Sequence, residues 1–154
     1  MIYIIEGPDG SGKTTLANTI SKQTGYPIIH RTQPKSQEEK DAMMAEYLHI
    51  IKTGRNVIFD RCWYSEMVYG RVMRDKSYID YPQMYALEKA LTKHGALLIY
   101  CTGDKNILWQ RATSRGEDYI TSKETFVTIC NEYNNVIKAC PHFIPVVTYE
   151  YEDM

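Results

Sequence analysis

A glycine-rich loop near the start of the chain constrains its fold more than any other feature. The apolar run 2–5 leads directly into the segment 7–14, which reads G-P-D-G-S-G-K-T. Glycines let the backbone turn successive N–H groups toward an anion, and the helix that follows adds its positive end. In such a loop the lysine, here Lys13, reaches the outer phosphates, and the hydroxyl of Thr14 binds Mg²⁺. The pattern predicts a buried strand, a phosphate-binding loop and a helix in direct succession.

The ligand expected at this loop carries a polyphosphate tail, as ATP does. The phosphates should contact the loop and the first turn of the helix after it, which together comprise Gly7, Gly10, Ser11, Gly12, Lys13, Thr14 and Thr15. Leu16, Ala17 and Ile20 give that helix an apolar face, and Gly25 marks its end.

Length and charge narrow the remaining possibilities. The chain has 154 residues, which predicts one domain spanning 1–154. Its formal charge is -1, so we expect no binding to a nucleic acid polymer, which would require a basic stripe. The apolar run at the start is too short for a signal peptide or a membrane span, and we expect a cytoplasmic protein with no membrane partner. The four cysteines lack the spacing of a zinc site.

Five apolar runs of strand type alternate with helical patterns along the chain. The runs are 2–5, 27–30, 56–60, 96–101 and 143–149, and Pro145 places the last at a sheet edge. Helices are predicted from the loop to Gly25, from Ser36 to Gly54, over 65–73, from Asp80 to Gly95, through Leu108, and from Thr121 to Pro141. Capping boxes are expected for Ser36 with Glu39 and for Thr121 with Glu124, and a frayed tail at 150–154.

This alternation predicts an α/β fold. Short apolar strands joined by helices form a parallel sheet with helices on both faces, connected by right-handed crossovers. Ligands bind such sheets at the carboxyl ends of the strands.

Asp9 is an unusual residue to find inside a loop that binds anions. Its carboxylate repels phosphate at close range, and this cost calls for a compensating partner. A sugar hydroxyl of an acceptor substrate could donate a hydrogen bond to it. Alternatively, Asp9 only caps the turn or faces water.

The pair Asp60-Arg61 stands where the third strand leaves the sheet, beside the phosphate loop. Arg61 is expected to hold an acceptor phosphate, while Asp60 binds Mg²⁺ through water or orients Arg61. Ser65 and Tyr69 follow on one helical face that would line an acceptor pocket. The alternatives are a simple ion pair at a strand end, and a core position for Tyr69.

Two arginines, Arg111 and Arg115, lie one helical turn apart and lead into Gly116. Two cations next to a glycine hinge suit a lid, at about 111–121, that closes over transferring phosphates. The alternative is that both arginines only interact favourably with the helix dipole.

These motifs resemble those of the thymidylate kinases. The segment 5–15 is similar to the phosphate loop of that family, in which the aspartate at the place of Asp9 touches the 3′-hydroxyl of the acceptor deoxyribose. Asp60-Arg61 followed by Ser65 and Tyr69 resembles the Asp-Arg signature of the family, whose arginine holds the acceptor phosphate. The segment 107–116 is similar to the family's lid.

The resemblance implies the P-loop kinase fold, with a five-stranded parallel sheet of order 2-3-1-4-5 and a short lid. Family members with no arginine at the place of Gly10 take their catalytic arginine from the lid, where Arg111 and Arg115 stand. A homodimer also fits the family.

The chain departs from the family after its second strand. The family has Arg-Glu-Pro there, whereas this chain has Arg31-Thr32-Gln33-Pro34. Arg31 is still expected to face the acceptor. The helix around 43–47 has no clear equivalent of the residues that read thymine, and the chain is shorter than usual, so the base of the acceptor stays open.

The implied reaction moves the γ-phosphoryl group of ATP, with Mg²⁺, to a deoxynucleoside monophosphate, either dTMP or another. The residues expected to catalyse it are Lys13, Asp60, Arg61, Arg111 and Arg115, with Thr14 and Asp60 at the metal and with Asp9, Arg31, Arg61 and Tyr69 at the acceptor. One alternative is a deoxynucleoside kinase that phosphorylates a 5′-hydroxyl, with Asp60 as the base. Another is a nucleotide-dependent switch or ATP-binding module without transfer activity.

Overall fold

The structure, a computed structural model, describes residues 1–30, 32–114 and 122–151. Five strands form its sheet: β1 (Ile2–Glu6), β2 (Ile28–His30), β3 (Val57–Asp60), β4 (Ala96–Gly103) and β5 (Val146–Tyr151). The helices between them are α1 (Lys13–Thr24), α2 (Gln37–Lys52), α3 (Trp63–Arg74), α4 (Tyr81–Leu91), α5 (Lys105–Ser114) and α6 (Lys123–Tyr133). A π-helical turn, Asn134–Lys138, continues α6.

The sheet is parallel and has the order β2-β3-β1-β4-β5, which confirms the order expected from the sequence. The central strand β1 pairs with β3 through Ile5 and Asp60, and with β4 through Glu6 and Tyr100. The phosphate loop and the Asp60-Arg61 pair therefore leave neighbouring strands at the same edge of the sheet.

Helices cover the two faces of the sheet unequally. One face forms the larger core, with buried residues from α2, α3, α4 and α6 packed on β1, β3 and β4. The opposite face carries a smaller cluster under α1, built on Ile5, Ala17, Ile58, Ile99 and Cys101. The expectation of helices on both faces is confirmed.

Long-range contacts account for two boundaries that the sequence prediction missed. Helix α3 begins at Trp63 rather than Ser65, because the side chain of Glu6 in β1 accepts the backbone N–H groups of Cys62 and Ser65. The expected frayed tail at 150–154 is wrong for its first two residues, since Glu150 and Tyr151 pair with β4 as part of β5.

Strand β5 lies at the edge of the sheet, as Pro145 indicated, but it begins at Val146 rather than at 143. The cap of α6 also differs. Its N-cap is Ser122, whose hydroxyl accepts the N–H of Thr125, while Thr121 of the expected capping box lies outside the described residues.

At α2, Ser36 accepts the N–H of Glu39 as expected, but the Glu39 carboxylate accepts the N–H of Lys35 instead of completing a capping box. Within the described ranges, no helix is both long and apolar enough to cross a membrane.

Candidate active site

The phosphate loop occupies the turn between β1 and α1, and close packing requires its glycines. Gly7 and Gly10 have positive φ angles of 152° and 78°. A Cβ atom on Gly7 would lie 2.1 Å from the carbonyl oxygen of Cys101, and one on Gly10 would lie 2.5 Å from that of Leu108. Neither position admits a side chain, because backbone approaches the loop from β4 and from α5.

Lys13 begins α1 and lies buried against the loop. Its ammonium donates a hydrogen bond to the carbonyl oxygen of Pro8 at 2.7 Å, and the Ser11 hydroxyl donates to the same oxygen at 2.7 Å. Burial, followed by the nearby Arg61 guanidinium, lowers the pKa of Lys13 from 10.5 to about 7. An anion at the loop would restore the charge, so the site is electrostatically suited to phosphate.

Thr14 in the first turn of α1 and Asp60 at the end of β3 bring a hydroxyl and a carboxylate together. The Thr14 Oγ1 atom donates to Asp60 Oδ2 at 3.2 Å, and His30 Nδ1 lies 3.8 Å from the same oxygen. Oxygen ligands of this kind suit Mg²⁺, which takes one or two protein groups and completes its shell with water and phosphate oxygens. The pair fits the metal site expected from the sequence.

Arg61 sits at a bend of the backbone between β3 and α3. Its φ of 69° is in the left-handed region, which costs a non-glycine residue about 1–2 kcal/mol. The Arg61 guanidinium forms an ion pair with Asp9, and it lies 5.4 Å from the centre of the Tyr69 ring. Three of the residues expected at the acceptor, Asp9, Arg61 and Tyr69, thus lie together, and two of them form an ion pair with each other.

A narrow cleft opens beside this ion pair. It is bounded by the phosphate loop, α3, α5 and α6, and its lining residues are Pro8, Asp9, Tyr69, Trp109, Ala112, Thr113, Phe126 and Ile129. Trp109 and Phe126 meet edge to face, with their ring centres 5.5 Å apart. The lining is mainly apolar and aromatic, as in sites for planar organic ligands.

Arg111 of α5 lies against the phosphate loop. Its Nε donates to the carbonyl oxygen of Gly10 at 2.9 Å, and its Nη1 donates to the Tyr151 hydroxyl at 2.7 Å. The guanidinium is 4.0 Å from the centre of the Tyr151 ring. Arg31, Arg115 and the expected lid beyond residue 114 lie outside the described residues.

Sequence reasoning missed two residues of this site. The sequence predicts a frayed tail at 150–154, which includes Tyr151, whereas β5 extends through this residue. Glu6 follows the predicted strand 2–5, and the sequence predicts no role for its side chain. It is fully buried and holds the start of α3, a contact for which the local sequence carries no signal.

A phosphate loop on the central strand of a parallel sheet of order 2-3-1-4-5, with an aspartate ending the next strand, is the arrangement of a P-loop kinase. The fold and the site therefore define the protein as a phosphotransferase with a nucleotide-binding fold. Residues 1–120 match the polyphosphate kinase 2 (PPK2) family, and the chain belongs to that family.

Known relatives agree with this class. The SPbeta prophage-derived protein YorR of Bacillus subtilis (strain 168) is 31% identical over 123 residues, covering 80% of this chain and 74% of YorR. The structure of YorR in complex with phosphorylated GDP superposes with a TM-score of 0.79 and 25% identity, over 99% of this chain and 85% of that one.

The deoxyadenosine kinase of M. mycoides, solved with dCMP and dCDP, shares the fold. Its TM-score is 0.65 at 20% identity, over 97% of this chain and 89% of that one. These relatives support the P-loop kinase class and do not single out the thymidylate kinases.

Proposed function

We propose that the protein transfers the γ-phosphoryl group of ATP to the 5′-phosphate of a deoxynucleoside monophosphate, dTMP or another, and forms the diphosphate. One observation carries the proposal: Asp9 of the phosphate loop and Arg61 of the neighbouring strand end meet beside an aromatic cleft. A carboxylate and a guanidinium at one place match the two polar ends of a nucleotide acceptor, its sugar hydroxyl and its phosphate.

The ion pair between Asp9 and Arg61 accounts for how the acceptor would enter. On binding, the acceptor phosphate forms an ion pair with the guanidinium of Arg61, and the sugar hydroxyl donates a hydrogen bond to the carboxylate of Asp9. Each charged group exchanges its partner and neither is left unpaired, so binding avoids the cost of an isolated charge. The base then lies along the aromatic lining, where Trp109 and Phe126 offer ring contacts.

The acceptor phosphate is ionised near neutral pH and needs alignment and charge neutralisation rather than a strong base. In the proposed reaction Lys13 and the loop amides hold the donor phosphates, Arg61 holds the acceptor, and Arg111 and Arg115 neutralise charge on the transferred group. Mg²⁺, held by Thr14 and Asp60, would neutralise charge on the donor phosphates.

Two relatives bear on the acceptor. YorR was solved with phosphorylated GDP, which favours a guanine nucleotide as one of the acceptors to test. Because the chain shares its fold with a deoxyadenosine kinase, a nucleoside acceptor is the main alternative. Transfer to a 5′-hydroxyl would need a carboxylate base, and Asp60 is the candidate for that base.

The family match favours a second candidate for the donor. The PPK2 model covers residues 1–120, which include the phosphate loop and Arg111. Inorganic polyphosphate presents the same terminal phosphoryl chain as ATP and would contact the same loop amides and Lys13. It is therefore the donor to compare with ATP.

The decisive experiment is an end-product assay with Mg²⁺ and either ATP or polyphosphate. The acceptors are the four deoxynucleoside monophosphates, the four ribonucleoside monophosphates and the matching nucleosides, with products separated by anion-exchange chromatography. Formation of a deoxynucleoside diphosphate supports the proposal. A monophosphate formed only from nucleosides would establish the alternative kinase, and ADP released at the same rate without acceptor would indicate a switch. Lys13→Ala is the inactive control.

A further inference from the structure

Glu6, the last residue of β1, is a fully buried carboxylate that the reaction above does not use. Its Oε2 accepts the backbone N–H groups of Cys62 at 3.0 Å and Ser65 at 2.9 Å. Its Oε1 accepts the Ser65 hydroxyl at 2.5 Å, and the Tyr133 hydroxyl lies 3.5 Å away. Burial raises the pKa of Glu6, while these hydrogen bonds and the Arg61 charge oppose that rise.

These contacts replace a local helix cap. The N-cap residue of α3 is Cys62, and it makes no side-chain hydrogen bond to the helix. Serine, threonine or aspartate at that position would satisfy the free N–H groups without burying a distant carboxylate. The chain instead ties the start of α3 to the strand that carries the phosphate loop.

Arg61, which has a left-handed backbone conformation, lies between the end of β3 and the start of α3. The N–H of Arg61 donates to the carbonyl oxygen of Ile5 at 3.0 Å, and the next N–H, of Cys62, donates to Glu6. Two successive residues of β1 thus hold the two successive N–H groups of this bend. Such strained conformations persist only where the surroundings over-determine them.

We propose that Glu6 is a positioning residue for Arg61: it fixes the bend that directs the guanidinium toward Asp9 and the acceptor phosphate. This inference rests on the proposed function for its kinetic consequence, and on geometry alone for its structural one. A second buried carboxylate, Glu88 of α4, offers a matched control because it likewise accepts a side-chain hydroxyl, from Tyr64, and a backbone N–H, from Phe143.

The test is Glu6→Gln, compared with Glu88→Gln. The amide can still accept a backbone N–H through its oxygen and donate to the Ser65 hydroxyl, so the fold is kept while the charge-assisted bonds are weakened. In the diphosphate assay we expect the KM for each deoxynucleoside monophosphate to rise about tenfold in Glu6→Gln, with the KM for ATP changed less than about twofold. Glu88→Gln should change neither KM.

A double-mutant cycle shows whether the effect passes through Arg61. Binding of the same monophosphates is measured by calorimetry in the wild type, Glu6→Gln, Arg61→Ala and the double variant. Glu6→Gln should weaken monophosphate binding when it is made in the wild-type background, and it should cause no further loss when it is made in the Arg61→Ala background. An equal effect in both backgrounds, or an equal rise of both KM values, overturns the positioning role.

Nuclear magnetic resonance of the Arg61 guanidinium gives a readout that does not depend on activity. Its N–H signals should be sharp in the wild type and in Glu88→Gln and should broaden in Glu6→Gln, where contact with Asp9 loosens. If they broaden but Arg61→Ala leaves acceptor use intact, the proposed function fails and the positioning role stands. Unchanged signals in Glu6→Gln refute the positioning role itself.

Discussion

The hydroxyl of Thr14, in the first turn of α1, donates a hydrogen bond to the Asp60 carboxylate at the end of β3, with the two oxygens 3.2 Å apart. These residues are 46 positions apart in the chain. The parallel pairing of β1 with β3 brings them together, and the pair supplies the oxygen ligands for Mg²⁺ in the proposed reaction.

Thr14→Val should therefore reduce turnover sharply with the fold intact. Removing one group that stabilises charge in the transition state typically costs about 3–4 kcal/mol, which is a hundredfold or more in rate. Turnover is measured over a range of Mg²⁺ concentrations, and the variant should need more metal for half-maximal rate. Thr19→Val is the control, because its hydroxyl only bonds to the Thr15 carbonyl within α1. Equal turnover in Thr14→Val and Thr19→Val would contradict the metal assignment.

Binding of ATP at pH 8 should take up a proton at Lys13. Because burial lowers its pKa to about 7, Lys13 is mostly neutral at this pH in the free protein. Phosphates raise the pKa of an adjacent ammonium, so the group becomes charged on binding. Calorimetric titrations in buffers of different ionisation enthalpy measure the uptake. It should vanish in Lys13→Met, and uptake that persists there would place the proton elsewhere.

The free energy of unfolding should fall as pH rises past neutrality because of His142. Its Nδ1 lies 2.7 Å from the Glu88 carboxylate and its Nε2 lies 2.8 Å from the Ile137 carbonyl oxygen. Burial opposes the charge, but Glu88 and the carbonyl outweigh it and raise the pKa above 6.5. The contribution is complete below pH 6.5, the unfolded value, and is lost as pH rises through the folded value.

Urea unfolding at several pH values between 6 and 9 measures this loss. His142→Phe should remove the decline, whereas the exposed His49→Gln should leave it. Lys13 acts in the opposite sense, since its lowered pKa makes stability rise with pH from about 7 toward 10.5. The comparison is therefore best made in the Lys13→Met background, and a decline unaffected by His142→Phe would contradict the assignment.

Gly10→Ala should be much more destabilising than Gly25→Ala, although both glycines have similar positive φ angles, 78° and 77°. At Gly25 the new Cβ meets nothing within 4 Å, so only the conformational cost of about 1–2 kcal/mol applies. At Gly10 the collision with the Leu108 carbonyl adds a further ~1–3 kcal/mol. Denaturant unfolding compares the two variants, and equal losses would show that α5 does not press on the loop.

Tyr151→Phe should lower turnover about threefold to tenfold, because it removes one hydrogen bond of Arg111 and keeps the stacked ring. Arg111→Lys should lower it about a hundredfold if the arginine neutralises the transferred group. The control is Tyr149→Phe, because the Tyr149 side chain is exposed and lies two residues before Tyr151 in β5. A Tyr151→Phe enzyme as active as Tyr149→Phe would mean that Arg111 is held by Gly10 alone.

Local motifs carried much of the fold and part of the site. The sequence around Lys13 predicts strand, loop and helix because each step depends on neighbouring residues, and the alternation of strands and helices yields a parallel sheet. Asp60 could be placed beside Thr14 because parallel strands end at the same edge.

The contacts that the sequence does not reveal are those between distant side chains. The sequence predicts that Asp9 meets a substrate hydroxyl, caps the turn or faces water, whereas in the structure it pairs with Arg61, 52 positions away. Glu6 reaches Cys62 and Ser65 over 56 and 59 positions, and Glu88 reaches His142 over 54. Such pairings depend on the final approach of helices to the sheet, which no local periodicity encodes.

The bend at Arg61 and the phosphate loop both originate in the last residues of β1: Ile5 and Glu6 hold the bend, and Gly7 opens the loop. A shift of this strand along its axis would carry both in the same direction. The distance between the phosphate loop and Arg61 therefore depends on this one central strand. Changes in the outer strands and their connecting helices can alter how a substrate fits without changing the distance over which the phosphoryl group would be transferred.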